Sequence, residues 1–475
     1  MEVQTYLHFT HLSAASFNPV RNNILSAATI RLPARTSNNR HHLVFASQNS
    51  NTAAPKREKD AKKRIVITGM GLVSVFGNDV DTFYERLLSG DSGIDLIDRY
   101  DASDFTTRFA GQIRGFNSNG YIDAKYDKRL YNCQRYCIVA GKKALEDTAL
   151  DGDKWNSINK ERAVVLIGSG LGGITVIANG METMNKRGSS KVTPYAAPFS
   201  LASMGPALLA IDIGFMGPKY SISAACATSN SSFCAAASYI REGKADLMIA
   251  GGVDALVNRP GMGAFAATRS MSKRNNDPKT ACRPWDKDRD GLVMGEGGGV
   301  LVMESLEHAM RRDAPILAEY LGGAVTCDAY HIMNPPLDGL YLSNCIESSI
   351  VDARVSVEEV NYVNAHATST VNGELAELNA LKKLFKNTTE VKLNATTSMI
   401  GHSMGGSGGH EAIATIKAIQ TGWLHPTINQ FDTEPAVEFD IVANQKQKHE
   451  INVGISNSSG IGGHNSVVVF SSFKP

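Results

Sequence analysis

Short apolar runs rich in β-branched residues recur through the first half of the chain, and each ends at a glycine or a polar turn. They are Arg64–Gly69, Ala163–Ile167 and Leu247–Ala250. A continuous apolar run of this length is typical of a strand that is buried on both faces. The pattern predicts three buried strands, with a helix after the first that is capped by Asn78 or Asp79. The inner face of that helix carries Phe83, Leu87 and Leu88.

The same alternation returns in the second half. The predicted strands are Ile316–Tyr320, Val360–Asn364 and Val453–Ser456, and the predicted helices are Glu374–Phe385 and Glu411–Ile419. Strand, helix and glycine-rich loop that alternate twice predict an α/β fold of two halves, which meet near residues 310–315. The repeat is one of architecture only, since no sequence motif is repeated.

The N-terminal segment has a different composition. Between Glu2 and Glu58 there is no Asp or Glu, serine and threonine are frequent, and arginines such as Arg21 and Arg40 punctuate the run. This is the composition of an organellar transit peptide, and it does not distinguish plastid from mitochondrion. Residues 1–60 are therefore left out of the predicted fold.

Composition and charge narrow the class of protein. The 475-residue chain is 43% hydrophobic, contains 43 glycines and has a formal net charge of +1. This balance argues against general nucleic-acid binding, and no uninterrupted apolar stretch reaches the ~18–20 residues that a membrane span needs. The seven cysteines include no CxxC pair. That pattern disfavours a disulfide framework or a zinc site and indicates a reducing compartment.

A glycine-rich segment, Gly168–Gly173, follows the second predicted strand and satisfies the GxGxxG pattern of dinucleotide-binding turns. The segment after it, Ile174–Gly180, is short and β-branched. Glu182 comes too early for the acidic residue that would bind the ribose. We therefore expect a close-packed turn at a buried interface in place of a nucleotide site.

The segment Tyr220–Ser229 contains the candidate nucleophile. Serine alternates with apolar residues before Cys226, which predicts a strand, and a helical pattern runs from Ala227 to a terminator at Gly243. Cys226 is thus predicted at a strand-to-helix elbow, where free backbone N–H groups and the helix dipole lower a thiol pKa. Its small neighbours leave room for a substrate.

Two histidines lie on polar or glycine-rich loops that suit a ligand. His366 follows a predicted strand within Asn364–Thr370, and His402 lies in Ser398–Gly405. A lone histidine is more often structural than catalytic. Two such loops together with an elbow cysteine form a Cys-His-His constellation, which is typical of nucleophilic catalysis.

Four features together resemble one enzyme family. They are the Cys226 elbow, the two histidine loops, the signature Arg283–Gly297 (RPWDKDRDGLVMGEG) and the closing segment Gly460–Asn465. In this order, over nearly all of the chain after the N-terminal segment, they resemble the β-ketoacyl-acyl-carrier-protein synthases, most of all the plant plastid synthase I group. The resemblance implies a thiolase-like, five-layered αβαβα fold of two pseudo-repeated halves, 61–313 and 314–475, in the plastid stroma.

The resemblance also implies an activity, the decarboxylative Claisen condensation of fatty-acid biosynthesis. Cys226 would take an acyl group from acyl-carrier protein, and His366 and His402 would stabilise the enolate formed as malonyl-carrier protein loses carbon dioxide. The other implied contacts are the backbone N–H groups of Cys226 and Ile461 for the oxyanion, and Thr368 and Thr370 for the pantetheine arm. Neither a cofactor nor a metal is implied, since the substrates arrive on the carrier's phosphopantetheine. A homodimer is implied.

The chain departs from the family pattern around this site. Thr397 stands where the family has a lysine that pairs with an acid matching Glu377. A buried carboxylate without its cation is harder to ionise. Ser459 and Ile461 replace two aromatic residues of the gate over the acyl pocket, and Met333 replaces a threonine of a pantetheine-side loop.

These departures leave three functions open. They are an ordinary synthase, a condensing or acyl-transfer enzyme of altered acyl specificity, and a non-condensing subunit that pairs with a standard synthase. An acidic carrier protein needs a basic docking surface. The candidate cations are Lys128, Arg129, Lys273 and Arg274, although charged pairs on loops are most often solvated surface.

Overall fold

The structure, a computed structural model, describes residues 56–475. The predicted transit peptide lies outside these residues except for its last few positions. Within residues 56–475, none of the helices combines the length and the apolar character that crossing a membrane requires.

Helices and strands alternate along the described part of the chain. The helices are α1 (Val80–Leu88), α2 (Ala124–Asp127), α3 (Asn132–Glu146), α4 (Gly152–Ser157), α5 (Ile174–Arg187), α6 (Ala196–Phe199), α7 (Met204–Ile213), α8 (Thr228–Arg241), α9 (Arg259–Ala267), α10 (Leu306–Arg311), α11 (Leu340–Ala353), α12 (Val371–Leu384), α13 (Thr397–Ile400) and α14 (Ser407–Thr421). The strands are β1 (Ile65–Val73), β2 (Asp95–Leu96), β3 (Phe109–Ala110), β4 (Ala163–Gly168), β5 (Leu247–Asp254), β6 (Gly297–Ser305), β7 (Ala318–Cys327), β8 (Val360–Asn364), β9 (Lys392–Asn394), β10 (Trp423–Leu424), β11 (Gln447–Lys448), β12 (Val453–Gly460) and β13 (His464–Ser471).

Nine strands form one mixed sheet in the order β4-β5-β6-β1-β7-β13-β12-β8-β9. The first four come from the first half of the chain, and the last five come from the second. The two groups are joined by β1, which pairs with β6 along almost its whole length and with β7 through Ile65, Val66 and Ile67. The apolar pattern predicts the strands but not this junction, because the pairing joins strands of opposite halves.

Helices and the two groups of strands are stacked in alternating layers. Helices α8 and α14 contact strands of both groups and form the middle layer. Helices α3 and α7 cover the outer face of the first group, and α11, supported by α12, covers the outer face of the second. The order is helix, sheet, helix, sheet, helix, which confirms the five-layered α/β fold.

Alternate side chains of a single strand pack into different cores between these layers. On β4, Val164 and Leu166 join the middle core, whereas Val165 and Ile167 join the core under α3 and α7. On β13, neighbouring residues likewise face opposite cores. Successive side chains of a strand point to opposite faces, so a strand between two helical layers must be apolar at every position. This is the physical reason for the unbroken apolar runs.

The predicted elements are confirmed in type, and most of them are longer than predicted. Asp79 caps α1, since its carboxylate accepts from Thr82 N. Phe83 and Leu87 are buried, and Leu88 is partly buried. The strand predicted to end at Tyr320 continues to Cys327. The extension is less buried than the start of the strand, so its hydrophobic signal is weaker.

One local prediction is wrong. Residues 220–224 are not a regular strand and form one bridge to β4, at Leu166–Tyr220. Two backbone hydrogen bonds hold the segment there, Ser169 N to Ile222 O at 3.2 Å and Tyr220 N to Val165 O at 3.4 Å. The β-branched segment after the glycine turn, for which no element was predicted, belongs to a fourteen-residue helix, α5. β-branched residues lower helix propensity by only a few tenths of a kcal/mol each, which local context readily overcomes.

Candidate active site

Cys226 lies in a single 3₁₀ turn, Ala225–Ala227, immediately before α8. Ala225 has φ +47°, a left-handed conformation that costs a non-glycine residue about 1–3 kcal/mol. Gly460, at the end of β12, closes the other side, and a Cβ there would lie 3.1 Å from Cys226 N. The turn therefore fixes the thiol at the wall of a cavity, where Cys226 is 7% exposed.

The predicted lowering of the thiol pKa is wrong for the free protein. Burial raises the pKa of Cys226 to about 12, and the backbone N–H groups of Ile461 and Cys226 offset only part of the increase. The buried carboxylates of Glu411 and Asp254 add to it. The thiol is protonated at neutral pH. Local sequence could not show this, because the elements that exclude water from the sulfur come from distant parts of the chain.

His366 follows β8 on a loop that is held by its backbone. Glu377 accepts hydrogen bonds from His366 N at 2.8 Å and from Ala367 N at 3.0 Å. Glu374 accepts from Ser369 N at 2.6 Å, three residues further on. Both carboxylates come from α12, so one helix sets the position of the whole loop. Glu377 thus positions His366 through the main chain.

The signature segment Arg283–Gly297 holds both histidine loops. In its middle, Arg289 forms a buried ion pair with Glu374, whose carboxylate supports the His366 loop (Nε–Oε2 2.7 Å). Near its end, Met294 forms a β-bridge with His402. The length of this signature therefore has a structural reason, since one segment must reach two loops.

His402 lies between α13 and α14 and is 1% exposed. Its Nδ1 is 3.0 Å from Ser407 Oγ, which also accepts a hydrogen bond from Ser403 N. Its Nε2 has no hydrogen-bond partner among the described residues. One nitrogen is held by a hydroxyl, and the other is left available for a ligand.

The three predicted residues converge. One ligand atom each from Cys226, His366 and His402 lies within 4.8 Å of the others. The two imidazole rings are 5.0 Å apart, at an angle of 83°. Burial lowers the pKa of His366 to about 4, and burial together with the neighbouring His366 holds the pKa of His402 well below its usual value. Both rings are therefore neutral at pH 7.

Met404 belongs to the site, although no feature of its sequence context distinguishes it from a core methionine. Its Sδ is 3.6 Å from Cys226 Sγ. It has φ +50°, and the next residue, Gly405, donates its N–H to the buried carboxylate of Asp254 at 2.8 Å. Asp254 also accepts from Gly170 N at 2.9 Å. The glycine-rich segment is thus the close-packed turn that we expected, held by a carboxylate.

A cavity of about 610 Å³ leads to the three residues. The other predicted site residues that line it are Ile461, Thr368, Thr370, Ser459, Met333 and Glu377. The hydroxyls of Thr368 and Thr370 are 3.0 Å apart and can serve one ligand together. Thr397 is not among the lining residues and is 2% exposed.

Glu377 and Glu411 are buried near Thr397, and neither forms an ion pair within residues 56–475. Thr397 Oγ1 donates to Ala367 O at 2.7 Å, so it also supports the His366 loop. Burial raises the pKa of Glu377. Burial and the neighbouring Glu377 raise the pKa of Glu411 well above its usual value. Neither oxygen of Glu411 has a hydrogen-bond partner within residues 56–475. Glu411 does not stand out in the sequence, because it begins an otherwise apolar helical pattern.

The two positions that lack the family aromatics have different environments. Ser459 Oγ donates to Asn465 Oδ1 at 2.8 Å, and Asn465 Nδ2 donates to Asp328 Oδ1 at 2.5 Å. Ile461 instead packs in an apolar cluster that also contains Cys226 and Phe265. One position has become part of a polar chain, and the other has kept an apolar side chain of smaller size.

Comparison with known families gives two matches. Residues 62–309 match the family described as β-ketoacyl synthase, N-terminal domain. Residues 317–431 match the family described as β-ketoacyl synthase, C-terminal domain. The two matches follow one another along the chain.

Individual proteins are similar over the same range. The chain is 61% identical to the chloroplastic 3-oxoacyl-[acyl-carrier-protein] synthase I of Arabidopsis thaliana, with 99% of each chain covered. It is 63% identical to the Hordeum vulgare protein of that name, over 89% of this chain and 92% of the other. A type II polyketide ketosynthase solved with its acyl-carrier protein has a TM-score of 0.77 at 28% identity, covering 86% of this chain and all of that one.

Proposed function

Because the chain belongs to the β-ketoacyl synthase family, we propose that it is a 3-oxoacyl-[acyl-carrier-protein] synthase of fatty-acid elongation in the plastid. The observation that carries this proposal is the convergence of Cys226, His366 and His402 within 4.8 Å at one cavity. The direct test is to supply acyl- and malonyl-carrier protein of several chain lengths and to detect the 3-oxoacyl product by mass spectrometry. An acyl-enzyme that never gives this product would contradict the proposal.

In the first step Cys226 accepts the acyl group. Its sulfur attacks the thioester carbon, the new C–S bond forms, and the pantetheine thiolate leaves and takes up the thiol proton. The oxyanion of the tetrahedral intermediate is held by the backbone N–H groups of Cys226 and Ile461, which face the sulfur. Backbone donors that are already in position stabilise such an anion at little reorganisation cost.

In the second step the histidines act on the malonyl group. Ser407 donates to His402 Nδ1, which leaves the ring proton on Nε2, directed towards the cavity. His402 and the neutral His366 donate to the thioester oxygen as the carbon–carboxylate bond breaks and carbon dioxide leaves. The enolate carbon then attacks the acyl-Cys226 carbon, and the Cys226 thiolate is released. Neutral donors stabilise the enolate without creating a buried ion pair.

This assignment predicts the pH profile of decarboxylation. The active imidazoles are neutral, and the pKa of His366 is lowered to about 4, so protonation removes the donor arrangement only in strong acid. We expect the rate constant for malonyl decarboxylation to be flat from about pH 8 to about pH 5.5 and to fall as the pH approaches the histidine pKa. Circular dichroism over the same range controls for unfolding. A fall centred near the ordinary histidine pKa of about 6.5 would contradict it.

The carrier arm and the carrier itself are assigned from the cavity. The paired hydroxyls of Thr368 and Thr370 are proposed to bind the phosphopantetheine, with Met333 on the opposite loop. No separate cofactor or metal is proposed for the reaction. Of the candidate docking cations, Arg129 lies over the Tyr195 ring and Arg274 pairs with an aspartate of its own chain. Because Arg129 and Arg274 already have these contacts within the chain, we assign the docking surface to no single residue.

Replacing Thr397 with lysine tests the missing cation. The new ammonium would lie among buried carboxylates and add positive charge beside the enolate. We expect the decarboxylation rate constant to rise by about tenfold with acylation of Cys226 unchanged. Thr397→Met is the matched control, because it adds similar bulk without charge. Equal rates in both variants and the wild type would show that the charge at this position does not matter.

Restoring the aromatic gate tests acyl specificity. Ser459 and Ile461 both line the cavity and are smaller than the residues they replace, so we expect a roomier pocket. The double variant Ser459→Phe/Ile461→Phe should lower kcat/KM for the longest acyl chains by at least about tenfold relative to short ones. The measurement is a chain-length series with each acyl-carrier protein. An unchanged series would reject a role for these two positions in acyl choice.

A homodimer is proposed from an exposed surface. Helix α5 carries Ile177, Met181 and Met184 at helical spacing, each about half exposed. The irregular segment 220–224 belongs to the same half of the chain and runs along the edge of β4. Exposed apolar side chains that lie this close together favour burial against a second copy of the chain. Pairing with a different synthase remains a prediction, which co-purification from plastid extract would test.

The two halves are also proposed from the local structure. Helix α10 ends at Arg311 and β7 begins at Ala318, so a division at residues 313/314 falls in the connection between them. The plastid location is proposed from the N-terminal composition and from the chloroplastic relatives.

A further inference from the structure

The catalytic residues also have the ligand types of a metal site. Cys226 offers a sulfur, and His366 and His402 each offer a nitrogen, all within 4.8 Å of one another. Zn²⁺ binds thiolate sulfur at about 2.3 Å and imidazole nitrogen at about 2.0–2.1 Å, usually with tetrahedral geometry. Binding would require the three side chains to rotate to those distances, and a water from the cavity can complete the fourth position. The site is assembled from distant segments, so the absence of a CxxC pair does not bear on it.

We propose that Cys226, His366 and His402 bind one Zn²⁺ ion, which reversibly blocks acylation of the enzyme. Binding converts the thiol to a zinc-bound thiolate and releases its proton to solvent. The ion takes one electron pair of the sulfur and occupies the space beside both imidazoles, where the acyl thioester would have to approach. The inhibitory consequence rests on the proposed function, whereas zinc binding itself does not.

The surroundings of the site hold its ligands in place. Zinc binding through His402 Nε2, which has no partner among residues 56–475, would move the ring proton to Nδ1, where Ser407 Oγ lies 3.0 Å away and can accept it. The backbone of His366 is held by Glu377. Ligating histidines are oriented in this way, with one nitrogen held by a hydrogen-bonding group and the other free for the metal. The cavity of about 610 Å³ provides a route of entry for the ion.

The charge around the site favours a cation in this particular chain. Glu377 and Glu411 are buried close to one another, and Asp254 and Glu411 lie near the sulfur of Cys226. Thr397 brings no positive charge to this group. A dication would lower the pKa of these buried acids and be stabilised by the carboxylates so formed, and it would be repelled by an ammonium at position 397. The proposal therefore predicts that Thr397→Lys weakens zinc binding.

The test is a titration of the full-length chain with buffered Zn²⁺, without substrate. Histidines elsewhere, including His41 and His42 of the N-terminal segment, give a background that Cys226→Ser measures, since this substitution keeps the size of the side chain. We expect one equivalent of Zn²⁺ to be lost in Cys226→Ser, and affinity to fall at least about 100-fold in His402→Asn and at least about tenfold in Thr397→Lys. Co²⁺ in place of Zn²⁺ should show a thiolate charge-transfer band that Cys226→Ser removes.

Protection of the thiol gives an independent readout. Zn²⁺ should slow alkylation of Cys226 by iodoacetamide, and EDTA should restore the rate. Equal binding by the wild type and Cys226→Ser, or no cobalt–thiolate band, would overturn the proposal. An unchanged affinity in Thr397→Lys would overturn its electrostatic part. Acylation by acyl-carrier protein in EDTA is measured separately, so failure of the synthase assignment would be seen there and not in the titration.

Discussion

Replacing Cys226 with alanine is expected to abolish the acyl-enzyme and to lower the rate of condensation by at least about 10⁴-fold. The thiol lies on a strained turn, next to the backbone N–H groups of Ile461 and of Cys226 itself. The measurements are the intact mass of the protein after incubation with acyl-carrier protein, and the yield of 3-oxoacyl product.

Decarboxylation should survive this substitution. The two imidazoles that stabilise the enolate do not depend on the sulfur, so malonyl-carrier protein should still lose carbon dioxide within about tenfold of the wild-type rate. Cys234→Ala is the matched control, because this second cysteine lies two turns along α8 and is partly buried. The Cys234→Ala variant should still form the acyl adduct on Cys226. An adduct of normal yield in Cys226→Ala would place the nucleophile elsewhere.

Replacing His402 with alanine should have the reverse effect. Its Nε2 is a buried donor directed to the cavity. Removal of one preorganised donor from such a site lowers kcat by about 10²–10³-fold. We expect condensation and decarboxylation to fall together by this factor. The yield of acyl-Cys226 should change by less than about tenfold, since the oxyanion of acylation is held by backbone groups.

His410→Asn is the control for this variant. His410 is also fully buried, but its ring contacts Val73 O and Ser403 Oγ, and it does not line the cavity. Its substitution should lower the melting temperature while the ratio of condensation to acylation stays constant. If His402→Ala lowers acylation and condensation equally, its role is structural, and the enolate must be stabilised by another group.

Much of the fold is predictable because burial on both faces leaves a strong sequence signal. The apolar residues of β4 must alternate between two cores, so no polar residue interrupts the strand. At 220–224 the same kind of reasoning fails. The alternation of serine and apolar residues there reflects the packing of one face of the segment against β4. The backbone pairing with β4 is too limited to form a strand. The junction of β1 with β7 has no local signal at all, because it depends on tertiary packing.

The residues of the candidate site likewise differ in how well the sequence predicts them. Cys226, His366 and His402 stand out because each lies at a turn with small or polar neighbours, and the structure brings them together. Met404 and Glu411 do not stand out, since an apolar thioether and an acid within a helix have many structural roles. The pKa of Cys226 could not be read from its helix N-terminus. Desolvation by the surrounding layers outweighs the helix dipole, which contributes roughly 0.3–1 kcal/mol near the surface.

The short pairing of β1 with β7 has a consequence for biosynthesis. Arg64, beside this pairing, forms an ion pair with Glu319, 255 positions later in the chain. At about 5–20 residues per second, the ribosome delivers the partner strand on the order of 10–50 seconds after the first strand emerges. An apolar strand edge that waits this long invites association with other nascent chains. The full-length chain should therefore need a chaperone early in synthesis, and the first half expressed alone should aggregate.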